Sequence, residues 1–490
     1  MAFRFRFVPR MRTRAEPLWA GLLLLITAIL YLPLRHSGFV YDDQWYVVQN
    51  AGIRHLDLRS IFVRPQAAAA AGSGLAEDAW RPLVTLSFAL DYKFWKLNPA
   101  GYHLENLLLG LLNGWMVWLL LRRVLLPPPV AAGAHLAALA VFLWHPVQVQ
   151  SLAWVSQRGT LLGSAGMLMA LLMLSGSAPW SWVRLSISWL AFGAALFCRE
   201  TAAGVILALA LIDGLRLRRQ GAGALSRNPF QFWLRYAGLI VLTLIYIVLR
   251  TRLLPSWSEF SGPRHWGGDA ALGMMALATY FGKLLWPTHL RIHYAYPEPV
   301  PGLIMGAGLV ILVFAAVLWW AWFRRPQLGA ALAWIFIFLI PVLQFIPIRA
   351  FAAERYLYFS LIGWAWIVGM AYARYPISRP AIWTLVALYA AASARLIPTW
   401  QSEETIWAHS VRQDPLDAFA RACYAQSLGL QPAAEQEYFR VLTTGPSDGI
   451  RYAALNNLAY LYHTRGESWK ANYWRARAEA AKPRESNQNL

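Results

Sequence analysis

Two adjacent carboxylates, Asp42 and Asp43, stand in the segment that follows the first strongly apolar stretch of the sequence. Carboxylates this close to a hydrocarbon layer are costly unless they are hydrated or used. A positioned carboxylate can take the proton from an acceptor hydroxyl, so the pair is a candidate for general base catalysis. The alternative is a solvated loop in which Asp42 or Asp43 caps a helix.

Polar clusters also occur at the ends of later apolar runs. They are the segment from His145 to Arg158, the pair Arg199-Glu200, and Glu354-Arg355-Tyr356. Arginine binds phosphate through paired hydrogen bonds and can neutralise it as it leaves. Together with the two aspartates, these clusters predict a site for a substrate that combines a lipid, a phosphate and a transferable sugar. Taken singly, each Arg–Glu pair can also be explained by side chains that reach from a helix end towards the headgroups.

The composition indicates the kind of protein that must hold these residues. Of the 490 residues, 58% are hydrophobic and only 14% are charged, which indicates a polytopic membrane protein. A formal charge of +20 would suggest nucleic acid in a soluble chain. Here we expect the lipid bilayer as the partner, and no nucleic acid. The two cysteines, Cys198 and Cys423, are too few and too differently placed for a disulfide framework or a cysteine metal cluster.

The apolar runs predict an all-α membrane domain over residues 1–400. Eleven runs have spanning length, at about 17–34, 102–124, 129–148, 158–177, 180–198, 200–215, 231–250, 301–323, 328–347, 355–373 and 380–397. The arginine-rich turns between them place the N-terminus in the cytoplasm and the C-terminus outside, provided that the run 270–287 lies on the outer surface. This topology gives a first outer loop, 35–101, and a large outer loop, 251–300.

Residues 401–490 have the composition of a separate helical domain. Ala422, Ala434 and Pro446 recur 37 residues later as Ala459, Ala471 and Pro483. Small residues at helix crossings and a closing proline are typical of tetratricopeptide repeats, here slightly longer than usual. Such repeats can bind a peptide in their groove, and a structural cap without a ligand is the alternative.

An ordered series of motifs over nearly the whole chain resembles a known family. The motifs are Phe39-Val-Tyr-Asp-Asp43 with Asn50, Arg81-Pro-Leu83, Asn98-Pro-Ala-Gly-Tyr-His103-Leu-Glu-Asn106, His145-Pro-Val-Gln through Gln157-Arg158, Arg199-Glu200 and Ala353-Glu-Arg-Tyr-Leu-Tyr358. In this order they resemble the C-type polytopic glycosyltransferases (GT-C). The resemblance is to the transmembrane and tetratricopeptide-repeat branch that is related to the protein O-mannosyltransferases.

The resemblance implies an inverting transfer of a sugar from a polyprenyl phosphate, on the outer or lumenal face, to a hydroxyl of a protein, glycan or lipid. Carried over by position, the acidic motif makes Asp42 the general base and Asp43 the residue that orients the acceptor or the base. The arginines that could contact the phosphate are Arg158, Arg199 and Arg355.

Further polar side chains are expected to line the cavity or contact the acceptor. They are His103, Asn106, His145, Glu200, Glu354 and Tyr356. His103, Asn106 and His145 have an alternative role as hydrogen-bonded residues between helices.

The sequence departs from the family pattern at two places. Gln150 stands where an acid is usual, and Gly159-Thr160 follow Arg158 where Lys or Asp is common. Hard cations need several oxygen ligands, so the missing acid favours a mechanism without a metal cofactor. An altered acceptor or an inactive relative would also explain Gln150.

Two other functions fit parts of the sequence. A polysaccharide polymerase or O-antigen ligase would use the late outer loop, which offers Arg264, His265, His289, Arg291 and His293. A non-catalytic scaffold would use only the repeats. In each case, the arginine-rich composition and compact loops favour a bacterial inner membrane, with the endoplasmic reticulum as the alternative.

Overall fold

The computed structural model describes residues 15–64, 69–70, 80–127, 130–131, 133–175, 181–220, 229–254, 266–297, 300–344, 348 and 350–482. Within these ranges the chain forms helices joined by turns and irregular segments, and no strand occurs there. The all-α fold class predicted from the sequence is therefore confirmed.

Helices α1 to α15 form the part of the chain that was predicted to lie in the membrane. Their bounds are α1 Glu16–Tyr31, α2 Leu58–Val63, α3 Pro82–Trp95, α4 Pro99–Leu120, α5 Ala134–Trp144, α6 Gln148–Ala153, α7 Arg158–Ser175, α8 Trp182–Cys198, α9 Val205–Gln220, α10 Pro229–Leu253, α11 Trp266–Leu285, α12 Pro301–Arg324, α13 Pro326–Leu339, α14 Leu361–Arg374 and α15 Arg379–Leu396.

Six helical segments of the described residues are long and apolar enough to cross a membrane. They are Glu16–His36, Pro99–Leu125, Val155–Ser175, Pro229–Leu253, Pro301–Arg324 and Pro376–Trp400, and four shorter apolar helices accompany them. The protein is therefore a multi-pass membrane protein. The count of eleven spans and the position of the run 270–287 on the outer surface stay predictions.

Local sequence signals determine where the helices near the polar clusters begin and end. Helix α4 begins at Pro99, and the side chain of Asn98 caps it by accepting a hydrogen bond from the Ala100 amide (3.2 Å). Helix α5 ends at Trp144 because His145 precedes a proline and is held extended. The polar segment after His145 therefore leaves the helix axis and crosses the end of the bundle.

Close packing of α7 on α8 brings two of the polar clusters together. A side chain at Gly166 would meet the Ala191 carbonyl at 2.5 Å, and one at Gly163 would meet the Arg199 Cβ at 3.1 Å. Because only glycine allows this approach, the start of α7 and the end of α8 lie side by side. Helices α10 and α12, in contrast, expose apolar side chains over most of their surface, as expected where a helix faces lipid.

Five helices follow the membrane part of the chain. They are α16 Glu403–Gln413, α17 Ala418–Ser427, α18 Pro432–Thr443, α19 Asp448–Thr464 and α20 Ser468–Ala480. Helices α17 and α18 pack as one pair and α19 and α20 as another, around a core that includes Ala434, Ala454 and Ala471. This pairing is what the repeated alanines predicted. Assignment to the tetratricopeptide family stays a prediction, and Pro483 lies outside the described residues.

Candidate active site

Asp43 is fully buried, and both of its carboxylate oxygens are hydrogen-bonded. Oδ2 accepts from the Val40 amide (3.0 Å), and Oδ1 accepts from the amide (2.7 Å) and the hydroxyl of Ser156. Burial raises the pKa of Asp43 to about 7, although these hydrogen bonds favour the charged form. Asp43 therefore joins the first outer loop to the polar segment between α6 and α7.

Asp42 is half-buried beside the C-terminal helix α17. Its charge adds to that of Glu403 and Asp417 around Cys423 on this helix. Burial first, and then these carboxylates, raise the pKa of the Cys423 thiol. Asp42 is thus more accessible than Asp43 and lies where the membrane part of the chain meets the C-terminal helices.

Arg199 and Arg355 line one cleft. Other residues that line it are Thr160, Ser164, Met167, Thr201, Phe338, Val342, Tyr356, Tyr358 and Phe359. The Arg199 guanidinium donates to the Thr160 hydroxyl and lies over the Tyr356 ring at 5.4 Å. Burial, and then the positive charge of Arg81, lower the pKa of Arg199 to about 10. The cleft therefore concentrates positive charge.

Arg355 lies between two aromatic rings at this cleft. Its guanidinium is 5.2 Å from the centre of the Trp154 ring and 5.0 Å from that of Tyr356. Its amide donates to the Gln150 side chain (2.8 Å). Among the residues that the structure describes, no carboxylate forms an ion pair with Arg355 or Arg199. The cleft thus holds cationic groups that an anion could neutralise.

Trp154 separates the carboxylate loop from the arginine cleft. Its ring stacks on the ring of Tyr41, the residue before Asp42, with 5.7 Å between the centroids. The Arg355 guanidinium also lies over the Trp154 ring. Asp43 is bonded to Ser156, two residues after Trp154. Trp154 therefore connects the loop that carries the aspartates with Arg355, through the ring of Tyr41 on one side. Two of the clusters that the sequence singled out separately, Asp42-Asp43 and Arg355, meet here.

Arg158 occupies a different environment from the other two predicted phosphate ligands. Its side chain is 1% exposed and forms ion pairs with Asp91 (2.9 Å) and Glu105 (3.2 Å). It also donates to Asn106 and to the Tyr102 carbonyl. With its donors used in this way, Arg158 fixes α7 to α3 and α4.

Glu200 pairs with an arginine that the sequence did not assign to the site. Arg81 donates to Glu200 at 3.0 Å, and both side chains are partly exposed. Glu200 therefore forms its ion pair with Arg81, and no carboxylate of the described residues forms an ion pair with Arg199, its neighbour in sequence. In the sequence, Arg81 stood out only as part of the motif Arg81-Pro-Leu83. Its pairing with Glu200 was not predicted, because nothing in its local sequence indicates a partner at a distant helix end.

Glu354 lies beside a second, smaller cavity. It accepts hydrogen bonds from the Arg291 amide (2.8 Å) and from the Tyr294 hydroxyl, and burial raises its pKa. The cavity is also lined by Gln150 and His409. Glu354 therefore faces the C-terminal helices, while Arg355 and Tyr356 face the arginine cleft.

The other predicted cavity residues hold the backbone of the site in place. His103 donates to the Gly38 carbonyl (3.2 Å), and Asn106 donates to the Trp154 carbonyl (3.2 Å). His145 donates to the Leu284 carbonyl (3.1 Å) and packs on Tyr389. These bonds match the alternative role between helices that the sequence allowed.

Sequence reasoning missed Ser156, although it lies inside the quoted motif. A serine between Trp154 and Arg158 carries no signal of its own, because its role appears only when the distant Asp43 is folded against it. Within the described residues, no group of three or more His, Cys, Asp or Glu side chains could hold a metal ion.

The helical membrane fold, the acidic loop and the arginine cleft can now be compared with known proteins. No protein-family model matches the chain. Among curated proteins, it is similar to protein O-mannosyl-transferases of animals. The protein O-mannosyl-transferase Tmtc1 of Drosophila melanogaster is 32% identical over 295 residues, which are 54% of this chain and 33% of the relative.

Two further relatives show the same likeness. Tmtc2 of Drosophila melanogaster is 31% identical over 38% of this chain and 21% of its own length. Human TMTC3 is 26% identical over 46% of this chain and 27% of its own length. The chain thus spans a third or less of the length of these relatives. The matches confirm the resemblance to the O-mannosyltransferase branch that the motifs indicated.

Two solved structures align with most of this chain at low similarity. ArnT from Cupriavidus metallidurans, bound to undecaprenyl phosphate, aligns over 96% of this chain and 76% of its own, with 14% identity and a TM-score of 0.41. The archaeal oligosaccharyltransferase AglB from Archaeoglobus fulgidus aligns over 88% of this chain and 60% of its own, with 11% identity and a TM-score of 0.40.

Proposed function

We propose that the protein is a membrane glycosyltransferase that moves a sugar from a polyprenyl phosphate to an acceptor hydroxyl. The single observation that carries this proposal is the cleft with Arg199 and Arg355, in which Arg355 lies over Trp154, the ring that stacks on Tyr41 next to Asp42. The names of the relatives, protein O-mannosyl-transferases, support mannose as the sugar and a protein as the acceptor.

The balance of charge supports a phosphate in the cleft. Arg81, Arg199 and Arg250 all act on Glu200, Arg355 acts on Arg199, and Glu200 forms its ion pair with Arg81. Arg199 is 7% exposed, and a buried guanidinium is costly until an anion neutralises it. Guanidiniums suit phosphate because their donors match two of its oxygens. The polyprenyl tail would extend from the cleft into the bilayer.

The two aspartates would have separate tasks. Asp43 is anchored by Val40 and Ser156, so it positions the loop and cannot turn towards a substrate without losing these bonds. Asp42 is more exposed and is the proposed general base. In the proposed step, Asp42 takes the proton of the acceptor hydroxyl, and the acceptor oxygen bonds to the anomeric carbon.

The same step breaks the bond between the anomeric carbon and the phosphate oxygen. Polyprenyl phosphate leaves with that electron pair, and Arg199 and Arg355 stabilise the added negative charge. The acceptor oxygen arrives opposite the leaving group, so the configuration at the anomeric carbon inverts. The step needs no oxidant, reductant or further substrate.

We further propose a location in a bacterial inner membrane, with the N-terminus cytoplasmic and the C-terminal helices periplasmic. The endoplasmic reticulum is the alternative. The C-terminal helices would also contribute to binding a protein acceptor, since α17 lies beside Asp42.

The polymerase or ligase alternative gains no specific support. Of its candidate residues, His289, Arg291 and His293 contact Gln413, Asp414 and Asp417 of the C-terminal part of the chain. They therefore connect two parts of the protein. Arg264 and His265 lie outside the described residues.

The experiment that tests the proposed function uses the full-length protein in detergent with a panel of polyprenyl-linked donors. The panel contains mannosyl, glucosyl and N-acetylglucosaminyl monophosphates and one diphosphate-linked donor. We expect release of polyprenyl phosphate, detected by mass spectrometry, from a monophosphate donor. Release from the diphosphate donor alone would favour the ligase alternative, and no release from folded protein would contradict the proposal.

A further inference from the structure

The C-terminal helices are directly bonded to the loop that carries the aspartates. The Gly38 amide donates to the Gln401 carbonyl (2.9 Å), and the Tyr41 amide donates to Oε1 of Glu403 (2.5 Å). The other carboxylate oxygen of Glu403 accepts from the Trp407 indole (2.8 Å). Glu403, in the first turn of α16, is thus held by its own helix and in turn holds Tyr41.

Tyr41 has an unusual backbone conformation. Its φ is +50°, in the left-handed region that residues with a Cβ avoid. Such a conformation persists only where the surroundings enforce it, and it is concentrated at functional sites. The surroundings here are the hydrogen bond to Glu403 and a cage of rings from Trp154, Trp407 and Phe419 around the Tyr41 ring.

The turn at Tyr41 determines where the next two residues point. The Tyr41 carbonyl accepts from the Gln44 amide (3.0 Å), and the Asp42 carbonyl accepts from the Trp45 and Tyr46 amides. Asp42 and Asp43 therefore lie within the single tight turn that the left-handed residue starts. A change of φ at Tyr41 would rotate the chain immediately before both carboxylates.

We propose that Glu403 and Trp407 are positioning residues, which hold Tyr41 in its left-handed conformation and so place Asp42 for catalysis. The C-terminal helices then act on the transfer step itself, in addition to any contact with the acceptor. The catalytic consequence rests on the proposed function, whereas the structural part of the inference does not.

A second set of contacts keeps the C-terminal helices docked when Glu403 is altered. Arg291 forms an ion pair with Asp414 (2.6 Å), and His293 contacts Asp417 (2.7 Å). These contacts involve the segment after α11 and do not include Glu403. A variant at Glu403 therefore tests the local hold on the loop, with the domain contact preserved.

The test compares Glu403→Gln with Glu404→Gln in the full-length protein. Gln is isosteric, but it removes the charge and leaves one acceptor for two donors. Glu404 is exposed on the same helix turn, so its variant controls for the loss of a carboxylate. Hydrogen–deuterium exchange of the peptide covering 38–46 reports on the loop, and exchange of α18–α20 reports on the integrity of the domain.

We expect exchange of the Tyr41 amide to accelerate about tenfold in Glu403→Gln, from the loss of one hydrogen bond to a charged acceptor. We also expect kcat for sugar transfer to fall about tenfold while the KM for the donor is unchanged, because the phosphate site is intact. Trp407→Phe should also accelerate exchange of the Tyr41 amide and lower kcat, each by less than Glu403→Gln does. Glu404→Gln should match the wild type.

Unchanged exchange in Glu403→Gln would overturn the inference. Faster exchange with unchanged kcat would overturn the positioning role. If the wild type transferred no sugar from any donor, the proposed function would fail, and the exchange measurement would still decide whether Glu403 holds the loop.

Discussion

Replacing Arg355 with Gln should impair use of the lipid donor more than any other change in the cleft. Arg355 reaches the cleft between Trp154 and Tyr356 and has no carboxylate partner among the described residues. Its donors are therefore available for a phosphate. Gln keeps part of the side-chain volume but has no charge and no paired donors.

The magnitude follows from the hydrogen bonds that a phosphate would lose. A hydrogen bond to a charged group contributes about 1.5–3 kcal/mol, and a guanidinium can offer two of them. Since Gln can retain one neutral hydrogen bond of about 1 kcal/mol, the net loss is about 2–5 kcal/mol, or roughly 30- to 5000-fold in kcat/KM. Arg355→Lys, which keeps the charge but not the paired geometry, should lie between Gln and the wild type.

The assay is the initial rate of polyprenyl phosphate release at subsaturating donor. Arg218→Gln is the matched control, because Arg218 also lies over a ring, that of Trp322 at 4.6 Å, and is outside the cleft. Loss of the two ring contacts of Arg355 should itself cost about 0.5–1 kcal/mol each, so the melting temperature is measured in parallel. A kcat/KM for Arg355→Gln within twofold of the control would refute the phosphate assignment.

Two further predictions concern the buried aspartate and the packing of α7 on α8. Because burial raises the pKa of Asp43 to about 7, kcat/KM should fall as the pH drops through this value, where protonation removes an acceptor from Val40 or Ser156. An acid limb at the same pH in Asp43→Asn would contradict this. Gly166→Ala should lower stability by about 1–3 kcal/mol, since its Cβ would lie 2.5 Å from the Ala191 carbonyl. Gly193→Ala, with nothing within 4 Å, should leave the melting temperature in detergent unchanged, and equal melting temperatures for the two variants would contradict the packing.

The sequence predicted the helical class and the meeting of several polar clusters for a physical reason. Helix ends on one face of a bundle converge, so charged residues at those ends come close together. This brought Gln150 to the amide of Arg355 and Arg199 to the ring of Tyr356. The apolar runs and the positions of the arginines between them were enough for these results, because each cluster lies near an end of an apolar run.

The partners of buried charges could not be predicted in this way. Arg158 and Arg355 look alike in sequence, but Asp91 on α3 and Glu105 on α4 neutralise only Arg158. This difference depends on how α3 and α4 pack on α7. The left-handed turn at Tyr41 gave no signal either, because a tyrosine carries no preference for that conformation.

The measurement that tests the central claim most directly follows one reaction with two readouts. Full-length wild type and Asp42→Asn are incubated with the preferred polyprenyl phosphate donor and a serine- and threonine-containing acceptor peptide. Mass spectrometry then quantifies the released polyprenyl phosphate and the glycosylated peptide. We predict equal amounts of both products with the wild type, and neither with folded Asp42→Asn at unchanged donor binding. Near-normal glycosylation of the peptide by Asp42→Asn would contradict the account.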